Sequence, residues 1–132
     1  MLGSNCAEAS PHSWRRGLAP ALAERHALID QHRLLRSIIE STVAPAFAVP
    51  RTALWAGTRG APPEAFARQV AMYLAHVGFG LNLTEVARLF ARDRSTVAHA
   101  CALVEDRRDA APFDRALDLL EGALRLVSQR LS

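Results

Sequence analysis

With 132 residues and 14.4 kDa, the chain has room for one domain with a tail, and its 50% hydrophobic and 22% charged residues suffice for a packed core. The net charge of +3 and the sequence pI of about 9.6 favour an anionic partner. All 16 basic residues are arginine, which excludes a P-loop, Schiff-base chemistry and pyridoxal phosphate attachment, because each of these needs a lysine.

The first 43 residues contain two different patterns. Residues 1–19 are rich in Gly, Ser, Pro and Asn, which predicts a flexible tail. Residues 20–43 carry apolar side chains at helical spacing, which predicts a long helix that begins with Pro20 in its first turn and ends before Pro45. Its apolar positions are Leu22, Leu28, Ile29, Leu35, Ile38, Ile39 and Val43.

An irregular segment and a second helix follow. Residues 45–61 are irregular apart from a short helical turn predicted around Arg51–Trp55, and within them residues 56–61 form a loop in which glycines flank Arg59. The pair Pro62-Pro63 is suited to the start of a helix, where a missing amide is harmless, and Gly78 and Gly80 end it.

Three further helices complete the predicted fold. Asn82 and Glu85 have capping-box spacing and predict a short helix, and Asp93 is a suitable N-cap for the next one, so the pair spans 83–106. The segment 112–131 is the clearest amphipathic helix, with Phe113, Leu117, Leu120, Leu124, Val127 and Leu131 on one face. Since no segment alternates like a strand, we expect a compact all-α domain.

The pair of helices at 83–106 has the pattern of a helix-turn-helix. Such a unit needs small residues where its helices approach and where its turn begins, and Ala87 and Ala91 lie at those positions. Val97 and Ala100 are spaced to point from the second helix into the wedge. The second helix then presents its N-terminal half outward, at the positions Arg94, Ser95, Ala98 and His99.

An exposed helix of this kind is suited to the major groove of DNA. Arg94 can donate two hydrogen bonds to guanine, and Ser95 and Thr96 can contact bases or phosphates. Asp93 can accept from a cytosine amine, although capping is the other role open to it. Arg88 and Arg92 are expected to face the DNA backbone.

The charge distribution agrees with this location. Residues 51–108 contain eight arginines and five acidic residues, a net charge of +3, whereas residues 109–132 carry a net charge of −1. The positive charge is therefore concentrated around the predicted DNA-binding helix, as contacts to phosphate require.

Three segments carry a family resemblance. They are residues 67–75 (ARQVAMYLA), residues 83–86 (LTEV) and residues 93–101 (DRSTVAHAC). Together they resemble the C-terminal DNA-binding domain of DnaA, the bacterial chromosomal replication initiator. The similarity extends upstream through Ile39 and Leu54-Trp55, so it covers about residues 36–132, and the helix at 20–43 corresponds to the connector helix of that family.

The resemblance implies a domain that binds a short duplex box, with its recognition helix in the major groove and a loop arginine in the minor groove. It implies DNA contacts by the following positions of this chain: Arg59 in the basic loop, Arg68 and Gln69 at the start of the signature helix, His76 as a phosphate contact, and Asp93, Arg94, Ser95, Thr96 and His99 in the recognition helix. Together with Arg92, these are the predicted site residues.

The chain also departs from the family pattern. Arg94 stands where the family usually has His, Ser95 where it usually has Thr, the turn before Asp93 is one residue shorter, and the basic loop is reduced to Arg59. We expect these changes to alter which DNA sequence is recognised and to leave the ability to bind DNA intact. The ATPase domain of the initiator is missing from the sequence, so we expect no nucleotide binding and no origin opening by this chain alone.

Two kinds of function remain open. The first is sequence-specific binding of double-stranded DNA, either as a small transcription regulator or as a modulator of replication initiation at DnaA-box-like sites. The second is a protein-interaction module that uses the helices at 20–43 and 112–131 and keeps the helix-turn-helix as a scaffold. Self-association through the helix at 20–43 also belongs to this second hypothesis.

Other classes of function find no support in the sequence. It contains no nucleophile–base motif and no pair of carboxylates in a suitable context, so we expect no enzyme. Two cysteines, Cys6 and Cys101, and five histidines without ligand spacing predict neither a disulfide framework nor a metal site, and no cofactor is expected. No stretch of about 20 apolar residues and no signal-peptide pattern occurs, so we expect a cytoplasmic, nucleoid-associated protein.

Overall fold

A computed structural model of the chain describes residues 13–57 and 60–131, and within these ranges all regular structure is helical. In chain order the elements are α1 (Ser13–Ala46), a short 3-10 helix (Arg51–Leu54), α2 (Pro62–Val77), α3 (Leu83–Phe90), α4 (Arg94–Arg107) and α5 (Ala111–Leu131). The predicted all-α class is therefore confirmed.

Helix α1 begins earlier than the sequence predicted. Residues 13–19 are helical, whereas a flexible tail was expected as far as residue 19, and residues 1–12 lie outside the described ranges. The prediction relied on the preference of Pro20 for a first helical turn. Residues 14–19 are mostly good helix formers (Arg, Leu, Ala), so the helix extends upstream of this proline. It ends at Ala46, three residues later than predicted.

The chain divides into two compact units after Leu35. The first unit contains the described residues 13–35, which form one continuous stretch of α1. The second unit, residues 36–132, contains the remainder of α1 and all the later elements, and the main hydrophobic core lies within it. Every feature of the site described below belongs to this second unit.

Helix α2 is the centre of the second unit, where it packs against the 3-10 helix, α3, α4 and α5. Its residues 67, 68 and 70–75 are buried, and three of them are alanines, which lets the neighbouring helices approach closely. Each of the other elements contributes large side chains that are fully buried, and each such Val, Leu or Ile stabilises the fold by about 1.5–3 kcal/mol. They include Ile39, Leu54, Val86, Val97, Val104, Leu117 and Leu124.

The start of α3 is fixed by the predicted capping box. The Glu85 amide donates to Asn82 Oδ1 at 2.8 Å, and the Asn82 amide donates to Glu85 Oε1 at 3.0 Å. These reciprocal bonds satisfy two amide groups that a helix N-terminus leaves without backbone partners. Helix α3 therefore begins where the sequence predicts.

The turn between α3 and α4 depends on Ala91, which adopts the left-handed conformation with φ of +52°. The following amide, of Arg92, donates to the Ala87 carbonyl at 2.9 Å and closes the end of α3. This backbone conformation is sterically unfavourable for any residue with a Cβ, and alanine is among the smaller residues that can adopt it. Asp93 then precedes α4 in an extended conformation and makes no side-chain capping bond, contrary to the role expected of it.

Helix α5 closes the core on the side of α2. Leu117 and Leu124 are buried, while Phe113 and Leu120 are partly buried against the same core, so most of the predicted apolar face is directed inward. The predicted face is incomplete at its C-terminal end, because Val127 is 37% exposed. Within the described residues no helix has the length and apolar character needed to span a bilayer.

Candidate nucleic-acid interface

An open groove of about 660 Å³ runs between the first half of α2 and the start of α4. Its floor is made of small or flexible side chains, Ala65, Met72 and Ala100 among them. Seven of the ten predicted site residues line it: Arg68, Gln69, Arg92, Asp93, Ser95, Thr96 and His99. The fold thus brings together residues that are up to 31 positions apart in the chain.

Helix α4 has one buried face and one exposed face. Val97 and Ala100 are 0% and 2% exposed and pack inward, as the helix-turn-helix pattern predicted. Arg94, Ser95 and Thr96 are exposed in its first turn, and Ala98 and His99 are exposed in the next. Because the leading residues of this helix point away from the core, they are available to a ligand as large as a DNA duplex.

Arg68 is buried, although it lines the groove. Its side chain is 5% exposed, and its Nε and Nη2 atoms donate to the Ala53 carbonyl at 3.3 and 2.8 Å. Burial lowers the pKa of Arg68, and the nearby charge of Arg92 lowers it further, while Glu64 acts in the opposite direction. The sequence predicted a DNA contact at this position but not the attachment to the 3-10 helix.

Arg92 has a second set of partners that spacing did not reveal. Its Nη1 atom donates to the Gly57 carbonyl at 3.0 Å, and its Nη2 atom donates to the Ala56 carbonyl. The guanidinium therefore joins the helix-turn-helix turn to the segment that enters the loop 56–61. From its position in the sequence, this side chain was expected to face the DNA backbone.

The 3-10 helix is also held from α1. Trp55 Nε1 donates to Glu40 Oε1 at 2.6 Å, and the guanidinium of Arg36 lies 4.3 Å from the centre of the indole ring. On its other side the indole packs on the Phe90 ring at the end of α3, with centroids 4.6 Å apart. Trp55 therefore connects the C-terminal part of α1 with the helix-turn-helix.

Of the three other predicted site residues, the two that the structure describes, His76 and Arg94, are not part of the groove lining. His76 is half-buried in the last turn of α2, and its Nδ1 atom lies 2.6 Å from the Leu81 carbonyl. Since a carbonyl oxygen only accepts, Nδ1 is the protonated nitrogen in this bond. Arg94 is exposed beside the groove, and Arg59 lies outside the described residues.

The chemistry available at the groove is that of hydrogen-bond donors and acceptors. Guanidinium, amide, hydroxyl and imidazole groups surround it, together with one carboxylate, from Asp93. These are the groups that contact base edges and phosphates in protein–DNA interfaces. Among the described residues no cluster of three or more histidines, cysteines or carboxylates is arranged to hold a metal ion.

Comparison with known proteins places this geometry in a family. The family model for the bacterial DnaA protein helix-turn-helix matches residues 37–104, which is more than half of the chain. The chain belongs to the bacterial DnaA helix-turn-helix family. The matched range begins near the start of the second unit and ends within α4, so it includes the whole lining of the groove.

A solved structure agrees with the DnaA assignment. The chain resembles a protein described as "Crystal structure of DNA replication initiation factor", with a TM-score of 0.62 and 27% sequence identity. The likeness covers 83% of this chain and 36% of the other, so the present chain spans about a third of the length of that relative. A comparison with curated proteins finds no significant match.

Proposed function

We propose that this DnaA-type domain binds double-stranded DNA in a sequence-specific manner, with α4 as its recognition helix in the major groove. The observation that carries the proposal is the exposed N-terminal half of α4 beside a groove lined by arginines. Family membership supports it, since the matched family is a helix-turn-helix of an initiator protein. The net positive charge of residues 51–108 supports the same partner.

The side chains of α4 have distinct tasks in this proposal. Arg94 donates two hydrogen bonds to a guanine, and the small Ala98 leaves space for a thymine methyl group. Ser95 and Thr96 contact bases or the adjacent phosphates. Asp93 is exposed and makes no capping bond, so its carboxylate can accept from a cytosine amine.

Residues outside the first turn of α4 orient the duplex. Gln69, from α2, and His99, from the second turn of α4, both line the groove, and in this proposal they contact the strand that passes over it. Arg68 and Arg92 contribute positive charge at the groove even though their donors are bonded to backbone carbonyls. We propose that Arg59 enters the minor groove, as the family pattern implies, and that His76 contacts a phosphate through Nε2, because its Nδ1 atom is bonded to the Leu81 carbonyl.

The biological role that follows is regulation at DnaA-box-like sites. A domain that occupies such a box competes with an initiator for it and thereby modulates replication initiation. At a promoter, the same occupancy regulates transcription. The bound sequence decides between these roles, because Arg94 and Ser95 differ from the usual residues of the family and alter the expected box.

The test is selection of bound duplexes from a random pool, followed by fluorescence anisotropy on the selected sequence. We expect the selected duplex to bind far more tightly than a scrambled one. We also expect the affinity to fall steeply as the salt concentration rises, because the release of counterions from the DNA then contributes less to binding. Equal affinity for selected and scrambled duplexes would remove the sequence-specific part of the proposal.

One observation favours a second candidate function, a protein-binding surface on α5. Leu119 and Leu126 are 77% and 64% exposed, and their spacing of seven residues puts them on one face of the helix. Failure of the chain to shift any duplex, together with loss of a partner in a Leu119→Asp variant, would favour this function over DNA binding.

A further inference from the structure

Two arginines hold the backbone between the 3-10 helix and the loop. Arg68, from α2, donates to the Ala53 carbonyl, and Arg92, from the helix-turn-helix turn, donates to the carbonyls of Ala56 and Gly57. All three acceptors lie at or just after the end of the 3-10 helix, where carbonyl groups lack helical partners. The two guanidinium groups therefore satisfy acceptors that would otherwise depend on water.

The bonds of Arg92 join segments that are far apart in the chain. Its two acceptors are 35 and 36 residues upstream, so the contact fixes the loop entrance directly to the residue that precedes Asp93 and α4. The planar guanidinium suits this contact because its two terminal nitrogens donate in parallel to neighbouring carbonyls. A lysine ammonium at the same place carries the positive charge but lacks the two coplanar nitrogen donors of a guanidinium.

We infer that Arg92 is a positioning residue that holds the entrance of the loop 56–61 against the helix-turn-helix turn. Ala56 and Gly57 then keep a fixed position relative to the recognition helix α4 when DNA binds. This inference rests on the proposed function, and it assigns Arg92 a role other than a phosphate contact. Preorganisation raises affinity because less conformational freedom is lost on binding.

Arg92→Lys distinguishes positioning from phosphate contact. If Arg92 positions the loop, Arg92→Lys and Arg92→Ala both weaken binding to the selected duplex about tenfold, because neither bridges two carbonyls. If Arg92 contacts phosphate, the lysine variant retains the parent affinity within about twofold, since lysine is an effective phosphate ligand. The second result would overturn the inference. Arg115→Lys, an exposed substitution on α5, is the matched control and leaves affinity unchanged.

A measurement without DNA tests the same contact. The Trp55 amide donates to the Thr52 carbonyl at 3.2 Å, so its hydrogen exchange reports whether this segment opens. In Arg92→Lys we expect exchange at the Trp55 amide to rise about tenfold, with exchange in the buried part of α2 unchanged. Unchanged exchange at Trp55 would show that Arg92 does not hold this segment.

The two measurements separate the inference from the proposed function. A parent protein that binds no duplex at all overturns DNA binding, and with it the part of the inference that concerns DNA. Hydrogen exchange still decides whether Arg92 fixes the loop entrance. The proposed function and the inference are both supported if the parent protein binds the duplex and Arg92→Lys shows faster exchange and weaker binding.

Discussion

Arg108 Nη1 donates a hydrogen bond to the Tyr73 hydroxyl at 3.0 Å, which joins the end of α4 to the middle of α2. The Tyr73 hydroxyl in turn donates to Glu105 at 2.6 Å. The same guanidinium pairs with Asp114 at 2.6 Å and with Glu121, both on α5. One arginine therefore holds three helices together at the edge of the core.

We predict that Arg108→Ala strongly destabilises the fold. The carboxylate of Glu121 is 9% exposed, and removal of Arg108 leaves a nearly buried charge that, among the described residues, has one other cation, Arg125, which is 3.7 Å away and largely exposed. Breaking a buried pair in this way costs about 3 kcal/mol. Urea unfolding followed by circular dichroism measures the change, with the exposed Arg115→Ala as control. A loss similar to that of the control would mean that the network contributes little.

We predict that the unfolding free energy falls in alkali because of Tyr73. Burial raises the pKa of Tyr73 to about 12, and the bond to Glu105 raises it as well, whereas Arg108 acts in the opposite direction. Because the folded protein disfavours tyrosinate, the stabilisation is complete below the unfolded pKa of about 10 and is lost as the pH rises through about 12. The contribution is on the order of 2 kcal/mol.

The composition makes this alkaline transition simple to measure. The chain contains one tyrosine and no lysine, so Tyr73 shares this window with few other groups, among them the Cys101 thiol, whose pKa burial also raises. We expect Tyr73→Phe to abolish most of the decline in unfolding free energy between pH 10 and pH 12. An equal decline in the parent and in Tyr73→Phe would assign the transition to other groups.

The sequence predicted those features of the fold that depend on interactions between residues close together in the chain. Apolar side chains at helical spacing located α2 to α5, and Asn82 with Glu85 located the start of α3, because these signals act within a few residues of each other. The helix-turn-helix pattern and the family resemblance predicted an exposed N-terminal half of α4, and the structure leaves these residues exposed, with Ser95, Thr96 and His99 in the groove lining.

The sequence did not predict contacts between distant segments. Arg92 and Arg68 were expected to face DNA, yet their partners are backbone carbonyls between Ala53 and Gly57, whose location depends on the complete fold. The hydrogen bonds and ion pairs of Arg108 were not predicted for the same reason. A local rule also failed where the neighbouring segment overrode a preference, as for Pro20 inside α1.

Two leucines of α5 provide a test of how this helix contributes to stability. Leu124 is fully buried against the core, whereas Leu119 is 77% exposed on the opposite face. We expect Leu124→Ala to cost about 3–5 kcal/mol of unfolding free energy, because it removes buried methyl groups and leaves a cavity. Leu119→Ala is the control and changes stability by less than about 0.5 kcal/mol. Similar values for the two variants would show that α5 does not close the core.

Arg94 is the residue on which base preference depends most. It is exposed in the first turn of α4 beside the groove, and its guanidinium can bond guanine O6 and N7 together. We expect Arg94→Ala to weaken binding by about 1–3 kcal/mol and to relax the preference at one base pair only. Anisotropy with the selected duplex and its single-base variants measures both effects, and Arg115→Ala supplies a control with the same loss of charge far from the groove. A uniform loss on all duplexes would make Arg94 a phosphate contact instead, since phosphates carry no sequence information.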